Sequence, residues 1–254
     1  GPPTATKVFE TLGSATMSEI NFNCHITVLS KRWFDKLPSG VQDAVMKGAA
    51  ESFEYQKTGQ ANANIEPSLL RPWLLARGHD PEVATKAIAE LQRAARMDGL
   101  KLYEANRATY DMLRYGVQVT PGPGEAPVTV RFVDWDNPAA NDLGVAEEVA
   151  VTAKNPKAYN KRPDLVMYVN GIAMGVVELK KSTVDLGEGI RQTLDNQRPE
   201  FIRHFFTTVQ ITFAGNDMQG LRYAAIQTPQ PYWLAWKEES AILSPLDRDV
   251  VQML

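Results

Sequence analysis

The stretch "RPDLVMYVNGIAMGVVELKK", residues 162–181, constrains the fold of this chain more than any other. Two short apolar runs flank Asn170-Gly171, and Asn-Gly is the strongest short-range signal for a two-residue hairpin turn because both central residues need positive φ. A β-hairpin over 165–180 is therefore expected. Its ends carry charge: Asp164 before the first run, Glu178 and Lys180 at the end of the second. Charges in buried strands are costly unless something pairs them. Side chains alternate along a strand, so Glu178 and Lys180 share one face and Leu179 takes the other. A plain two-residue turn pairs 169 with 172, and so 164 with 177, which leaves Asp164 on the wrong face for Glu178. A one-residue bulge, or a three-residue turn, pairs 164 with 178 instead. Bulges are over-represented beside active sites, where they re-aim side chains, and the bulged or longer-turn register is the expected one.

Two carboxylates held together repel unless a cation sits between them. All-oxygen ligation suits Mg²⁺ or Mn²⁺. A lysine beside such a site can orient or activate water and stabilise negative charge on a phosphate, while the metal polarises the phosphoryl oxygen. This is the equipment of a phosphodiester hydrolase. A purely structural alternative is an edge hairpin whose charged ends block aggregation, and spacing alone does not separate the two. The surroundings favour the site. "AEEV" supplies more carboxylates shortly before it. "GIRQTLDNQ" follows with helical period and sets Gln192 and Asn196 four apart on one face.

The rest of the chain reads as helices first and strands later. After a polar linker, "GQANANIEP", helices are expected over Leu69–Arg77, from Asp80 and Pro81 onward, and over "KLYEANRATYDMLRYG" ending at Gly116. Asp80 is a good N-cap with Pro81 at the first helical position. Val83, Ala87, Ile88, Leu91 and Ala95 fall on one helical face. From 117 the texture turns to β: strands are expected at "VQVT", "VTVRFVDW", "EEVAVTA", "TTVQITFAG", "LRYAAIQ" and "YWLAWKE". "NPAANDLGVA" reads as a turn into a short helix, "VDLGEGIRQTLDNQ" as a helix, and "PEFIRHFF" as a helical turn or two.

Composition sets limits on function. The 254 residues suit one large domain or two small ones, and a net charge of −3 leaves no global basic field. Nucleic-acid binding would need a local patch, for which Lys161, Arg162, Lys181, Arg191, Arg198 and Arg203 are candidates. Trp135, Trp233 and Trp236 read as core or edge packing. Cys24 is the only cysteine, which excludes an intramolecular disulfide and a Cys-rich zinc site and is compatible with the cytoplasm, the expected location. His25, His79 and His204 form no metal-binding spacing. No apolar run is long enough for a membrane span, and no Gly-x-x-x-x-Gly-Lys-Ser/Thr loop is present for nucleotide phosphates. The start, Gly-Pro-Pro, is not a signal peptide. It reads as an internal or trimmed beginning, and "SPLDRDVVQML" stops inside an amphipathic run, so the chain is expected to continue.

Asp164, Glu178 and Lys180 together resemble the PD-(D/E)xK nuclease motif. From about residue 67 to 250 the chain resembles the N-terminal nuclease region of the restriction (R) subunit of type I restriction enzymes. The pieces that carry the likeness are "LLRPWLLARGHD", "LYEANRATYDMLRYGVQV", "VDWDNPAANDLGVAEEV", "KRPDLVMYVNGIAMGVVELKKS", "GIRQTLDNQRPEFIRHFFTTVQITFAGNDMQGLRY" and "SPLDRDVVQML". The resemblance implies an α/β, RecB-like restriction-endonuclease core, with a mixed central sheet flanked by helices and an added N-terminal helical region. It implies metal-dependent hydrolysis of double-stranded DNA. Asp164, Glu178 and the Leu179 carbonyl would hold Mg²⁺ or Mn²⁺, Lys180 would be the catalytic lysine, and Gln192 would match the Gln of a helical Gln-x-x-x-Tyr motif. Asn196 stands where that motif has Tyr. Glu147 or Glu148 is a candidate assistant to the metal. Methyltransferase and specificity subunits would be partners, and ATP would serve only a motor beyond this chain. The implied division is helical residues 67–116, a nuclease core at 117–240 and the start of a linker at 241–254. Residues 1–62 stand apart. "HITVLSKRWFDKLPSGVQDAVMKGAAESFEYQK" resembles the C-terminal part of a TRAP-type solute-binding protein, and Pro38-Ser39 opens a helical pattern there. The alternatives are a non-catalytic DNA-binding or subunit-docking module, a free-standing repair-type nuclease, and solute binding.

Overall fold

The computed structural model describes residues 63–97, 99–153, 159–216 and 218–236, all within one compact unit, Glu54–Trp236. Residues 1–62 and 237–254 lie outside the described residues. With them go the helix expected after Pro38-Ser39, the solute-binding resemblance, Cys24, His25 and the linker expected toward a motor.

Three helices come first: α1 (Pro67–Ala76), α2 (Pro81–Ala94) and α3 (Leu102–Tyr115). Asp80 takes extended N-cap geometry with Pro81 at the first position, as expected, but makes no side-chain cap bond. Its carbonyl accepts the Ala84 N–H at 2.9 Å instead. Val83, Ala84, Ala87, Ile88 and Leu91 are all buried, and burying each large one contributes about 1.5–3 kcal/mol. They pack with Leu70, Trp73, Leu74, Leu113, Phe132 and Ile172 into one cluster.

A two-stranded ribbon follows, β1 (Val117–Val119) antiparallel to β2 (Val128–Val130). The strand expected through Trp135 stops at Val130 because the chain turns at Asp134. The Oδ1 of Asp134 accepts the N–H groups of Asp136 and Asn137 at 3.2 and 2.9 Å, a local bond that competes with strand pairing. Phe132 and Val133 are buried all the same. The main sheet has six strands in the order β3 (Leu143–Glu147), β4 (Leu165–Val169), β5 (Ile172–Leu179), β6 (Ile211–Asn216), β7 (Gly220–Ala224) and β8 (Leu234–Ala235). Only β5 and β6 are parallel. A parallel pair needs a crossover, and helix α4 (Leu186–Asn196) lies within that connection. The fold is thus α/β, a mixed sheet flanked by helices.

Two local expectations are corrected. The short helix expected in "NPAANDLGVA" is a 3-10 turn at Pro138–Ala140 followed by strand β3, because pairing with all of β4 outweighs local preference. The strand expected at "EEVAVTA" ends at Glu147: Glu148 takes φ 47°, and Val151 forms only an isolated bridge to Lys161. "PEFIRHFF" yields a 3-10 turn, Arg203–Thr207.

The hairpin tip is pinned into the helical layer. Asn170 and Gly171 both have positive φ, 53° and 79°, as a two-residue primed turn demands. Asn170 is fully buried. Its amide donates to Phe132 O at 2.8 Å and to Asn141 Oδ1 at 2.9 Å, while its Oδ1 accepts the Asp142 N–H at 2.7 Å. A Cβ on Gly171 would lie 2.8 Å from Leu69 Cβ and 2.9 Å from Glu66 O. Deeper in the sheet, Val166, Tyr168 and Val176 pack on Phe205 and Phe206, and α4 places Leu186 and Ile190 on Ala214, Ala224 and Trp233. Trp233 is core, but Trp135 and Trp236 are 42% and 51% exposed. Trp236 packs at the sheet edge against Phe213 and Tyr223.

Candidate active site

The hairpin has both a two-residue turn and a bulge. Val169 pairs with Ile172 and Tyr168 with Ala173, but Met167 pairs with Gly175, so Met174 is the extra residue. Leu165 then pairs with Val177, and the next step sets Asp164 opposite Glu178. The bulge expected from the charges is present.

Glu178 lies on the buried face. It is two residues beyond Val176 and pairs in register with Ala214 of β6. Its side chain is 1% exposed. Oε1 accepts from Lys180 Nζ at 2.8 Å, whereas Oε2 is buried with no hydrogen-bond partner among the described residues. Burial pushes the Glu178 carboxyl up to about 7. The Lys180 hydrogen bond opposes that shift, and the charge of nearby Asp164 adds to it. Asp164 is half-buried, and its Oδ2 accepts the Leu179 N–H at 2.7 Å. That bond ties the start of β4 to the end of β5.

Lys180 is held from two sides. Besides Glu178, its Nζ donates to Gln192 Oε1 on α4 at 2.7 Å. Its stem crosses α4 at Gly189, where an added Cβ would meet Lys180 Cγ at 3.3 Å and Ala214 Cβ at 3.4 Å. Gly189 was not singled out in the sequence, although a glycine inside a helical pattern is itself a signal of close packing. Asn196, one turn beyond Gln192, is 1% exposed and its Oδ1 has no partner among the described residues.

The sequence-selected residues thus divide. Asp164, Glu178, Lys180 and Gln192 come together, with the Leu179 backbone between them. Glu147 and Glu148 do not join them. Ala146 occupies the buried face opposite Val166, so alternation sends Glu147 to the other face. Glu148 pairs outward with Arg162 at 3.2 Å. Among the described residues no group of three His, Cys, Asp or Glu side chains converges. Several of the candidate basic residues are engaged: Arg191 with Glu188 at 3.7 Å, Arg198 with Asp195 at 3.2 Å, and Lys161 over the Phe201 ring at 4.2 Å.

The sequence matches the family described as type I restriction enzyme R protein N terminus (HSDR_N) over residues 41–231, roughly three quarters of the chain. This chain belongs to that family. A comparison with curated proteins returns no significant match. The family match begins inside the segment 1–62 and runs through every element of the main sheet up to β7. In this R-protein N-terminal region the hairpin, the buried glutamate and helix α4 therefore all lie within the matched stretch. Among the described residues no helix is long and apolar enough to cross a membrane.

Proposed function

We propose that this R-protein N-terminal region is a divalent-metal-dependent endonuclease that hydrolyses phosphodiester bonds of double-stranded DNA. One observation carries the reading: the bulge at Met174 sets Asp164 opposite the buried Glu178. Two carboxylates aligned in this way repel unless a cation sits between them. The residues fit such an ion. Glu178 Oε2 is buried and, among the described residues, has no hydrogen-bond partner, and Asp164, Glu178 and the Leu179 carbonyl make an all-oxygen donor set suited to Mg²⁺ or Mn²⁺. When bound, the ion supplies Lewis acidity toward a phosphoryl oxygen.

The protein's own groups do the rest. The Leu179 N–H fixes Asp164 through Oδ2. Glu178 Oε1 and Gln192 Oε1 fix the Lys180 ammonium, which has a third N–H to give to a phosphate oxygen or to the attacking water. Holding these groups before substrate arrives lowers the cost of reorganisation. The methyltransferase and specificity subunits would choose the DNA, an ATP-driven motor beyond this region would move it, and the location would be cytoplasmic. The test is Lys180→Ala in a complete R subunit carrying this region, assembled with its partners on plasmid DNA. Cleavage should be abolished while ATP hydrolysis continues. Unimpaired cleavage would refute the assignment and favour a non-catalytic docking or DNA-binding module.

A further inference from the structure

A cavity of about 380 Å³ lies at the C-terminal end of α4, lined by Leu194, Asp195, Gln197, Arg198, Arg203 and Gln227, together with Pro199. None of Asp164, Glu178, Lys180 or Gln192 lines it. Its polar groups are unequally satisfied. Gln197 is engaged at both ends: its Oε1 accepts the Gln227 N–H at 2.6 Å and its Nε2 donates to Thr193 O at 3.0 Å. Arg198 is balanced by Asp195 at 3.2 Å and Glu200 at 3.6 Å. Arg203 differs. Its Nε is buried and, among the described residues, meets no acceptor, nor does any described carboxylate form an ion pair with it.

Buried donors in native proteins are nearly always satisfied, and a guanidinium edge is shaped to hold two oxygens of a phosphate at once. We propose that this cavity binds a phosphate group, with Arg203 as its donor. The ligand we assign is a backbone phosphate of the strand being cut, flanking the scissile one. This assignment rests on the nuclease reading; the phosphate site itself does not. Gln192 and the cavity-lining Leu194 and Asp195 lie on one helix, which ends at Asn196, about 6 Å beyond Gln192 at 1.5 Å per residue. Successive nucleotides of a duplex strand rise about 3.4 Å along its axis, so a strand running along α4 from the carboxylates would bring a phosphate about two nucleotides away to this cavity.

Two measurements on the full chain, both in EDTA so that no cleavage occurs, test the inference. The first titrates inorganic phosphate while following the Arg203 Nε–H resonance by ¹⁵N NMR. The second measures affinity for a labelled DNA duplex across a salt series for the wild type, Arg203→Gln and Arg203→Lys, each checked for an unchanged melting transition. Phosphate should shift the resonance. Arg203→Gln should weaken duplex binding about fivefold to tenfold and lower the salt slope by about 0.9, and Arg203→Lys should recover the slope but not the full affinity. A shifted resonance with unchanged duplex affinity would overturn the strand assignment in favour of a free phosphate monoester. An unmoved resonance together with unchanged affinity would overturn the site. Repeating the duplex measurement in an Asp164→Asn/Glu178→Gln background separates this result from the nuclease reading, because the Arg203 effect should persist there.

Discussion

Replacing Glu178 by Gln should make the metal-free protein more stable, by an amount that depends on pH. Folded Glu178 holds its proton up to about 7, against 4.5 for the ordinary carboxyl. Between those values the folded state binds more protons than the unfolded state, so stability falls as pH rises through the window and levels off above it. The difference of roughly 2.5 pKa units corresponds to about 3 kcal/mol at 1.36 kcal/mol per unit. The side chain is 1% exposed, so solvent does little to reduce it. Gln keeps an acceptor for Lys180 and removes the buried charge. For a chain of this length about 3 kcal/mol is a shift in melting temperature of roughly 6–12 °C. The assay is thermal unfolding in EDTA of wild type and Glu178→Gln at about pH 5 and about pH 8. The variants should differ little at the lower pH and by most of the full amount at the higher. Parallel pH profiles for the two proteins would refute the reasoning, because Glu178 would then titrate no differently folded and unfolded.

Two glycines supply further tests. Gly171→Ala forces a Cβ into φ 79° and to within 2.8 Å of Leu69 Cβ. The left-handed penalty of about 1–2 kcal/mol and overpacking of about 1–3 kcal/mol should together lower the urea midpoint by the equivalent of roughly 2–5 kcal/mol. Gly189→Ala gains about 1 kcal/mol of helix propensity but sets its Cβ 3.3 Å from Lys180 Cγ. Stability should move by less than about 1 kcal/mol, while cleavage by the assembled enzyme falls at least about tenfold as Lys180 is displaced from Gln192. A catalytic loss no larger than the stability change would show that Lys180 tolerates the added methyl group.

The sequence carried the elements whose local chemistry and tertiary environment agree. The α2 stripe from Val83 to Leu91 and the Asn170-Gly171 turn are such cases. So is the bulge, which followed from asking how Asp164 and Glu178 could share a face. What escaped depended on partners remote in sequence. Val149 and Val151 alternate like a strand and are buried like one, yet the left-handed Glu148 interrupts the run. Residues 143–146 read as part of a turn into a helix, yet they form strand β3 with Glu147 because β4 offers a continuous pairing edge. Glu147 and Glu148 lie near the hairpin in sequence, but strand alternation turns Glu147 to the other face and Glu148 pairs with Arg162. The Arg203 Nε, which meets no acceptor among the described residues, could not be seen in sequence at all, since being unpartnered is a property of the packed chain.

The central claim is that Asp164 and Glu178 form one divalent-metal site. The most direct measurement is calorimetric titration of Mn²⁺ into the folded chain, beside Asp164→Asn and Glu178→Gln. The account predicts saturable binding to the wild type that is lost in both variants. Binding that survives either substitution, or no binding to the folded wild type, would contradict it.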